Sequence, residues 1–281
     1  MDSYLQDNLP ISMVVTDLDG TLLRDDKTVS QTDIDTLHRL GELNVCRVAA
    51  TGRTLYNTQI LPADFPFDYV IFSSGSGILN WKTKELIMSL RIDANLVDRI
   101  TVILNQLNLN FNIYKPIPDN HHFLHFDNGM GNEDFDLLLK HYSEFLISSE
   151  NVNNSFGDAC QFLVILPYDV GLFESIKQQI QGVKIVRATS PIRGKYFWME
   201  LFNHQVSKGN AVAWLCNHLN IMPHKTIGLG NDYNDLDLLR FTNLSYVVSN
   251  APHDLQQQFA VTVSNMESPL TTIVRKHLNL N

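Results

Sequence analysis

Short apolar runs alternate with a helical pattern in the first part of the chain. The runs at residues 13–15, 45–50 and 69–72 predict buried strands, and apolar residues at helical spacing over 34–40 predict a helix. Each apolar run ends in small or polar residues. Strands that alternate with helices favour a parallel α/β sheet, which places its ligand at the carboxyl ends of the strands.

The pattern changes in the middle of the chain and then returns. Over residues 83–191, strands and helices follow one another without strict alternation, which indicates an inserted α+β domain. From about residue 192 the parallel pattern resumes, with strands predicted at 197–202 and 226–229. We therefore predict a doubly wound α/β core formed by residues 1–82 and 192–281.

Composition restricts the possible partners. Hydrophobic residues make up 44% of the 281-residue chain, and the formal charge of −9 argues against nucleic acid as the main partner. Cys46, Cys160 and Cys216 are isolated, which excludes a paired zinc motif and favours a reducing compartment. Since residues 1–10 lack a signal-peptide pattern and no apolar run reaches the roughly 18 residues of a membrane span, we expect a cytoplasmic protein with no membrane partner.

The most informative stretch is the end of the first predicted strand. Asp17 and Asp19 follow the apolar run, and Gly20 then allows the chain to turn, so that both carboxylates can face one point. Two such acids suit a Mg²⁺ site that leaves one carboxylate free to act as a nucleophile. An acidic turn is the alternative; a calcium loop is excluded because Gly20 comes too early and no glutamate closes the ring.

Four segments together resemble the motifs of one enzyme superfamily. They are Asp17-Leu18-Asp19-Gly20-Thr21, Thr51-Gly52-Arg53, Ser207-Lys208-Gly209-Asn210-Ala211 and Gly230-Asn231-Asp232-Tyr233-Asn234-Asp235. In this order they resemble the four motifs of the haloacid dehalogenase superfamily. The insertion between the second and third motifs resembles the α/β cap of the Cof-type (class IIB) phosphatases, which would set substrate specificity.

The resemblance implies a role for each matching residue. Asp17 would be the nucleophile that forms an aspartyl-phosphate, and Asp19 the general acid and base. Thr51 would hold the phosphoryl group, and Lys208 would neutralise it and the nucleophile. The implied substrate or phosphate contacts are Leu18, Gly20, Gly52, Arg53, Asn234 and Asn250. The implied Mg²⁺ ligands are Asp17, Asp19 (through its backbone carbonyl), Asn231, Asp232 and Asp235.

Several of these residues have a structural alternative. Thr51 could cap a helix, and Arg53 could be a surface residue instead of lining the phosphate entrance. Asn250 could form the turn before Pro252. Lys208 begins a predicted helix, where a cation opposes the helix dipole, and this favours a functional role over a solvated lysine.

The fourth motif departs from the superfamily pattern, which usually has Gly-Asp-x-x-Asn-Asp. Asn231 stands at the first acidic position and Asp232 follows it, whereas Asn234 and Asp235 match directly. An asparagine offers Mg²⁺ a neutral oxygen in place of a charged one, so the affinity for the metal should fall. Alternatively, the loop shifts and Asp232 takes the role.

The predicted function is Mg²⁺-dependent hydrolysis of a small phosphate monoester, with a sugar phosphate as the expected class. The expected partner is thus a small phosphorylated metabolite, and the chain would act as a monomer or a small homo-oligomer. Two alternatives stay open. One is a phospho-ligand binding protein with weak or lost turnover because of Asn231, and the other is a phosphomutase or phosphotransferase that uses the same chemistry.

Overall fold

The computed structural model describes residues 11–129, 131–148, 155–190 and 195–278, which form two compact units. The first unit contains the chain up to Gly52, Ile60–Met88 and the chain from Ser207 onward. The second contains Arg53–Gln59 and Ser89–Val206. The chain therefore leaves the first unit and later returns to it.

The first unit is built on an eight-stranded sheet. In spatial order its strands are β13 (Ala260–Val261), β12 (Leu244–Val247), β11 (Thr226–Gly230), β1 (Met13–Thr16), β2 (Cys46–Ala50), β3 (Tyr69–Phe72), β4 (Gly77–Asn80) and β5 (Leu86–Ser89). The pairs from β13 to β3 are parallel, and β4 is antiparallel to β3. Both β1 and β11 therefore end at the same edge of the sheet, side by side.

Five described α-helices belong to this unit. They are α1 (Gln31–Glu42), α5 (Lys208–Leu219), α6 (Leu236–Phe241), α7 (His253–Gln256) and α8 (Pro269–His277). Val212 and Leu215 of α5 pack with Val15, Val48 and Ile71 of the central strands in one buried cluster. Burying each such side chain contributes about 1.5–3 kcal/mol, so this packing holds the start of α5 firmly over the sheet.

The second unit is an antiparallel α+β structure. Its five strands lie in the spatial order β7 (Phe123–Phe126), β6 (Phe111–Tyr114), β8 (Gln161–Pro167), β10 (Tyr196–Asn203) and β9 (Val183–Thr189). Its helices are α2 (Ala94–Gln106), α3 (Glu133–His141) and α4 (Val170–Lys177). Within the described ranges of both units, no helix combines the length and the apolar character that crossing a bilayer requires.

The predicted α/β fold is confirmed, but two local predictions were wrong. β10, expected in the core, pairs antiparallel with β8 and β9 in the second unit, because an apolar strand does not itself specify its sheet. The return to the first unit comes at Ser207 instead of residue 192. β4 and β5 were not predicted from the apolar pattern.

Candidate active site

Asp17 lies where β1 ends, beside the end of β11. Its backbone N–H donates a hydrogen bond of 2.9 Å to the carbonyl oxygen of Leu229 in β11. Asp17 is only 5% exposed to solvent. The loop after β1 and the loop after β11 are thereby held together. The first and fourth sequence motifs therefore meet at one edge of the sheet, as their positions after predicted strands implied.

Lys208 brings the third motif to the same point. It is the first residue of α5, whose N-cap Ser207 accepts a hydrogen bond from the backbone N–H of Asn210. The Lys208 Nζ donates to Asp17 Oδ1 at 2.7 Å and to Asp235 Oδ1 at 2.6 Å. Lys208 and Asp235 are completely buried. Three charges that would be costly alone therefore form one buried cluster with a net charge of −1.

The cluster perturbs its own protonation. Burial raises the pKa of Asp17 to about 7, with the Asp235 charge adding to the rise and Lys208 opposing it. Burial alone would lower the pKa of Lys208, but the attraction of Asp17 and Asp235 outweighs burial and raises it. Lys208 is thus held as a cation, while Asp17 is a carboxylate poised to bind a proton near neutral pH.

Asp235 holds the fourth motif in shape. Its Oδ2 accepts hydrogen bonds from the backbone N–H groups of Asn231 at 2.9 Å and Asp232 at 3.2 Å, while its Oδ1 accepts from Lys208. Both carboxylate oxygens are therefore engaged by protein donors. Asp235 orders the loop and the lysine, and its predicted role as a direct metal ligand stays a prediction.

The structure distinguishes Asn231 from Asp232. A Cβ on Gly20 would lie only 2.6 Å from Asn231 Nδ2, so the Asn231 side chain packs directly on the first motif. Gly20 has a φ of +72°, which a glycine adopts without strain. The Asp232 carboxylate instead accepts from the N–H of Tyr233 and caps the short turn Tyr233–Asp235. Asn231 therefore occupies the place beside Gly20, and Asp232 has a capping role.

The donor set at this edge is chemically suited to a hard cation. Carboxylate and amide oxygens from Asp17, Asp19 and Asn231 are the kind that Mg²⁺ prefers. The nearby Asn234 Oδ1 is buried and has no hydrogen-bond partner in the part of the chain that the structure describes. Among the described residues, no group of three or more His, Cys, Asp or Glu side chains is arranged to hold a metal ion.

Asp19 has a partner that the motifs do not include. Lys27 Nζ lies 3.1 Å from Asp19 Oδ1, in a pair whose side chains are 53% and 40% exposed. Lys27 belongs to a turn closed by hydrogen bonds from Lys27 N to Arg24 O and from Arg24 N to Thr28 O. Asp19 is therefore the accessible carboxylate of the first motif, whereas Asp17 is the buried one.

The second motif lies on the neighbouring strand end. Thr51 is buried, its N–H donates to Ile71 O, and its carbonyl accepts from the N–H of Ser74. A Cβ on Gly52 would lie 3.6 Å from Ser74 Oγ and 4.0 Å from Asn234 Nδ2. The second and fourth motifs therefore approach each other at Gly52.

The remaining predicted contacts are placed differently. Arg53 belongs to the second unit. The Leu18 side chain is fully buried, and its carbonyl accepts from the N–H groups of Thr21 and Leu23. Asn250 Nδ2 donates to Gly20 O at 2.8 Å, so Asn250 supports the first-motif loop in this structure. Whether Arg53, Leu18 and Asn250 also contact phosphate stays a prediction.

Comparison with known families agrees with this arrangement. The sequence model of the haloacid dehalogenase-like hydrolase family matches residues 14–270. This stretch includes the four motifs and most of the chain. The chain belongs to this family. The predicted resemblance is thus confirmed, and all four motifs lie within the matched residues.

Individual relatives of this hydrolase are distant but match over nearly their full length. YxeH of Bacillus subtilis (strain 168), a provisionally named phosphatase, is 24% identical to this chain. The match covers 91% of this chain and 94% of the length of YxeH. The 5-amino-6-(5-phospho-D-ribitylamino)uracil phosphatase YwtE of the same organism is 22% identical over 95% of this chain and 98% of its own.

Solved structures share the fold of this hydrolase. A phosphatase of the haloalkanoate dehalogenase superfamily from Bacteroides thetaiotaomicron aligns with a TM-score of 0.79 at 18% identity, over 95% of each chain. A subclass IIB sugar phosphatase aligns with a TM-score of 0.74 at 16% identity, over 94% of this chain and 98% of that one. At such identities the likeness concerns the fold.

Two residues near this edge of the sheet were not predicted from the sequence. Lys27 lies eight positions after its partner Asp19, in a polar loop that resembles any solvated turn. Ser74 is one of a run of small residues after β3, and such a run by itself indicates only that the strand ends. The run Ser73-Ser74-Gly75 at a strand end was the available clue for Ser74.

Proposed function

We propose that this haloacid dehalogenase-like hydrolase removes phosphate from a small phosphate monoester, with Mg²⁺ and through an aspartyl-phosphate on Asp17. Its enzyme class is that of the phosphoric monoester hydrolases, to which its family and its phosphatase relatives point. The reaction course, the metal and the substrate class are the parts that we propose.

The observation that carries the proposal is the buried contact between Lys208 and Asp17. A carboxylate with an ammonium group at 2.7 Å can approach an anionic phosphate, because the lysine offsets the repulsion between the two. Phosphoryl transfer depends chiefly on positioning and on charge stabilisation, and Asp235 fixes Lys208 from the other side. A solvated lysine would not need two buried partners.

Asp19 and Thr51 complete the proposed chemistry. Asp19 is partly exposed, so it can reach the leaving oxygen, donate a proton to it and then take a proton from the attacking water. The Thr51 hydroxyl would hold the phosphoryl group at the end of β2. Asp17 would attack phosphorus, form the new oxygen–phosphorus bond as the ester bond breaks, and be released by water.

Mg²⁺, when bound, would supply positive charge that offsets the charge on the phosphate. Asp17, Asp19 through its backbone carbonyl, and Asn231 would hold it. The contact between Asn231 and Gly20 supports Asn231 over Asp232 for this position. Because Asn231 contributes no charge, we expect a lower affinity for Mg²⁺ than a carboxylate would give.

A sugar phosphate is the substrate class that we favour. One fold relative is named as a sugar phosphatase, and one curated relative is named for a phosphorylated ribitylamino compound. The second unit would select the leaving group, as expected for a cap. A cytoplasmic location and a monomer or small homo-oligomer stay predictions.

The test is phosphate release from sugar phosphates, nucleotides and p-nitrophenyl phosphate, with Mg²⁺ or with EDTA. We expect release with Mg²⁺ and none with EDTA, and loss of activity in Asp17→Asn. Wild-type hydrolysis by Asp17→Asn would refute the role of Asp17. Transfer of phosphate to an added sugar in place of free phosphate would indicate a phosphotransferase.

A second function is favoured by one observation, the asparagine at position 231. If the weakened metal site no longer supports turnover, the same pocket would bind a phosphorylated ligand without hydrolysing it. Binding of inorganic phosphate without hydrolysis of any ester, followed by recovery of hydrolysis in Asn231→Asp, would establish this alternative.

A further inference from the structure

The turn after β3 has an unusual backbone. Ser73, Ser74 and Gly75 have φ values of 46°, 56° and 107°, all in the left-handed region. Glycine adopts such angles freely, whereas side-chain-bearing residues rarely do. Side-chain-bearing residues held in such sparsely populated conformations cluster at functional sites, so the turn calls for a functional explanation.

The turn is tightly fitted between two motifs. A Cβ on Gly75 would lie 2.4 Å from the backbone oxygen of Ser207, the residue that caps α5 just before Lys208. On the other side, the N–H of Ser74 donates to the carbonyl oxygen of Thr51 at 3.0 Å. These two contacts fix Ser74 between the second and third motifs.

The Ser74 hydroxyl points toward a polar space over Gly52. Ser74 Oγ and Asn234 Nδ2 lie 3.6 and 4.0 Å from the position that a Gly52 Cβ would occupy. Asn234 Oδ1 is buried without a hydrogen-bond partner among the described residues, and Ser74 itself is only 6% exposed. Ser74 Oγ and Asn234 Nδ2 can each donate a hydrogen bond, so the space over Gly52 offers two donors to one ligand oxygen.

We infer that Ser74 is a further substrate-binding residue, whose hydroxyl donates a hydrogen bond to an oxygen of the phosphate group beside Gly52 and Asn234. This inference rests on the proposed function, because it takes the space over Gly52 as the phosphate site. Hydroxyl and amide N–H groups are suitable donors to an anionic oxygen, and a hydrogen bond to a charged group is stronger than a neutral one.

Three variants separate the hydroxyl from the turn. Ser74→Ala removes the hydroxyl and keeps a Cβ in the left-handed conformation. Ser74→Gly removes the hydroxyl and relaxes the backbone. Ser76→Ala is the matched control, because Ser76 belongs to the same region, is fully buried and has an Oγ without a partner among the described residues.

Steady-state kinetics with Mg²⁺, inhibition by inorganic phosphate and urea unfolding are measured for each variant. We expect Ser74→Ala and Ser74→Gly to lose about tenfold or more in kcat/KM and to bind inorganic phosphate more weakly by a similar factor. Ser74→Gly should unfold at the same or a higher urea concentration than the wild type. Ser76→Ala should stay within about twofold of the wild type in kcat/KM.

Two results would overturn the inference. Wild-type kcat/KM and phosphate inhibition in Ser74→Ala would show that the hydroxyl does not contact phosphate. Equal losses in Ser74→Ala and Ser76→Ala, with lower urea midpoints in both, would show a purely structural turn. If the wild type hydrolyses no ester, the proposed function fails, and calorimetric titration of inorganic phosphate into the wild type and Ser74→Ala still decides whether Ser74 binds phosphate.

Discussion

Replacing Lys208 by methionine tests whether the buried charge cluster stabilises the first unit. Methionine is unbranched and similar in length to the apolar part of lysine, so the packing of α5 should change little. What the substitution removes is the ammonium group at 2.7 Å from Asp17 and 2.6 Å from Asp235. Two buried carboxylates are then left without their cation.

The magnitude follows from burial. Removing one partner from a buried ion pair costs about 3–5 kcal/mol, because the remaining charge has lost its solvation and gained nothing in return. Lys208 and Asp235 are both 0% exposed, which places this cluster in that range. With a urea dependence of about 2 kcal/mol per molar, the unfolding midpoint should fall by about 1.5–2.5 M.

Lys27→Met is the matched control. It removes the same kind of group from the other acid of the first motif, but the Lys27–Asp19 pair is 53% and 40% exposed. Exposed pairs contribute only about 0–1 kcal/mol, so the urea midpoint should change by less than about 0.5 M. Urea unfolding of metal-free wild type and both variants, followed by circular dichroism at pH 7.5, makes the comparison.

An equal urea midpoint for Lys208→Met and Lys27→Met would refute this reasoning.

The pH dependence of the unfolding free energy provides a second check. The pKa of Asp17 lies above its unfolded value already in the wild type, so protonation of Asp17 favours the folded state, and the stability that this provides is lost as the pH rises toward 7. Without Lys208 this dependence should become steeper, so the deficit of Lys208→Met should shrink as the pH falls from 7.5 to 5.

Three further predictions concern the metal and the first-motif loop. Because burial raises the pKa of Asp17 to about 7, Mg²⁺ must displace a proton from Asp17 at lower pH. Calorimetry should therefore show weaker Mg²⁺ binding at pH 6 than at pH 8, with proton release at pH 6. Equal Mg²⁺ affinity at the two pH values would contradict this. Asn231→Asp should tighten Mg²⁺ binding and destabilise the metal-free protein, because it adds a carboxylate to a cluster that is already negative; unchanged calorimetric affinity would count against Asn231 as a ligand. Gly20→Ala should lose about 1–3 kcal/mol in urea unfolding, since the φ of +72° and the contact with Asn231 both resist a Cβ. Gly129→Ala, at a φ of +80° with open space around it, is its control and should lose less.

Local patterns in the sequence determined most of the elements and the motifs. Apolar runs that end in small polar residues located β1, β2, β3 and β11, because a buried parallel strand needs a continuous apolar stretch. The order of the four motifs then indicated the family, and family membership was confirmed over residues 14–270. These signals work because each one depends on neighbouring residues alone.

The tertiary structure decided which groups meet. Lys208 lies 191 positions after Asp17, and its two carboxylate contacts appear only once α5 packs over the sheet. The same holds for β10, since an apolar strand can pair with either sheet until its neighbours are known. The engagement of both Asp235 oxygens and the placement of Ser74 over Gly52 also come from contacts between distant segments. Sequence periodicity records which side of an element is buried, whereas hydrogen-bond partners are set by how the elements pack.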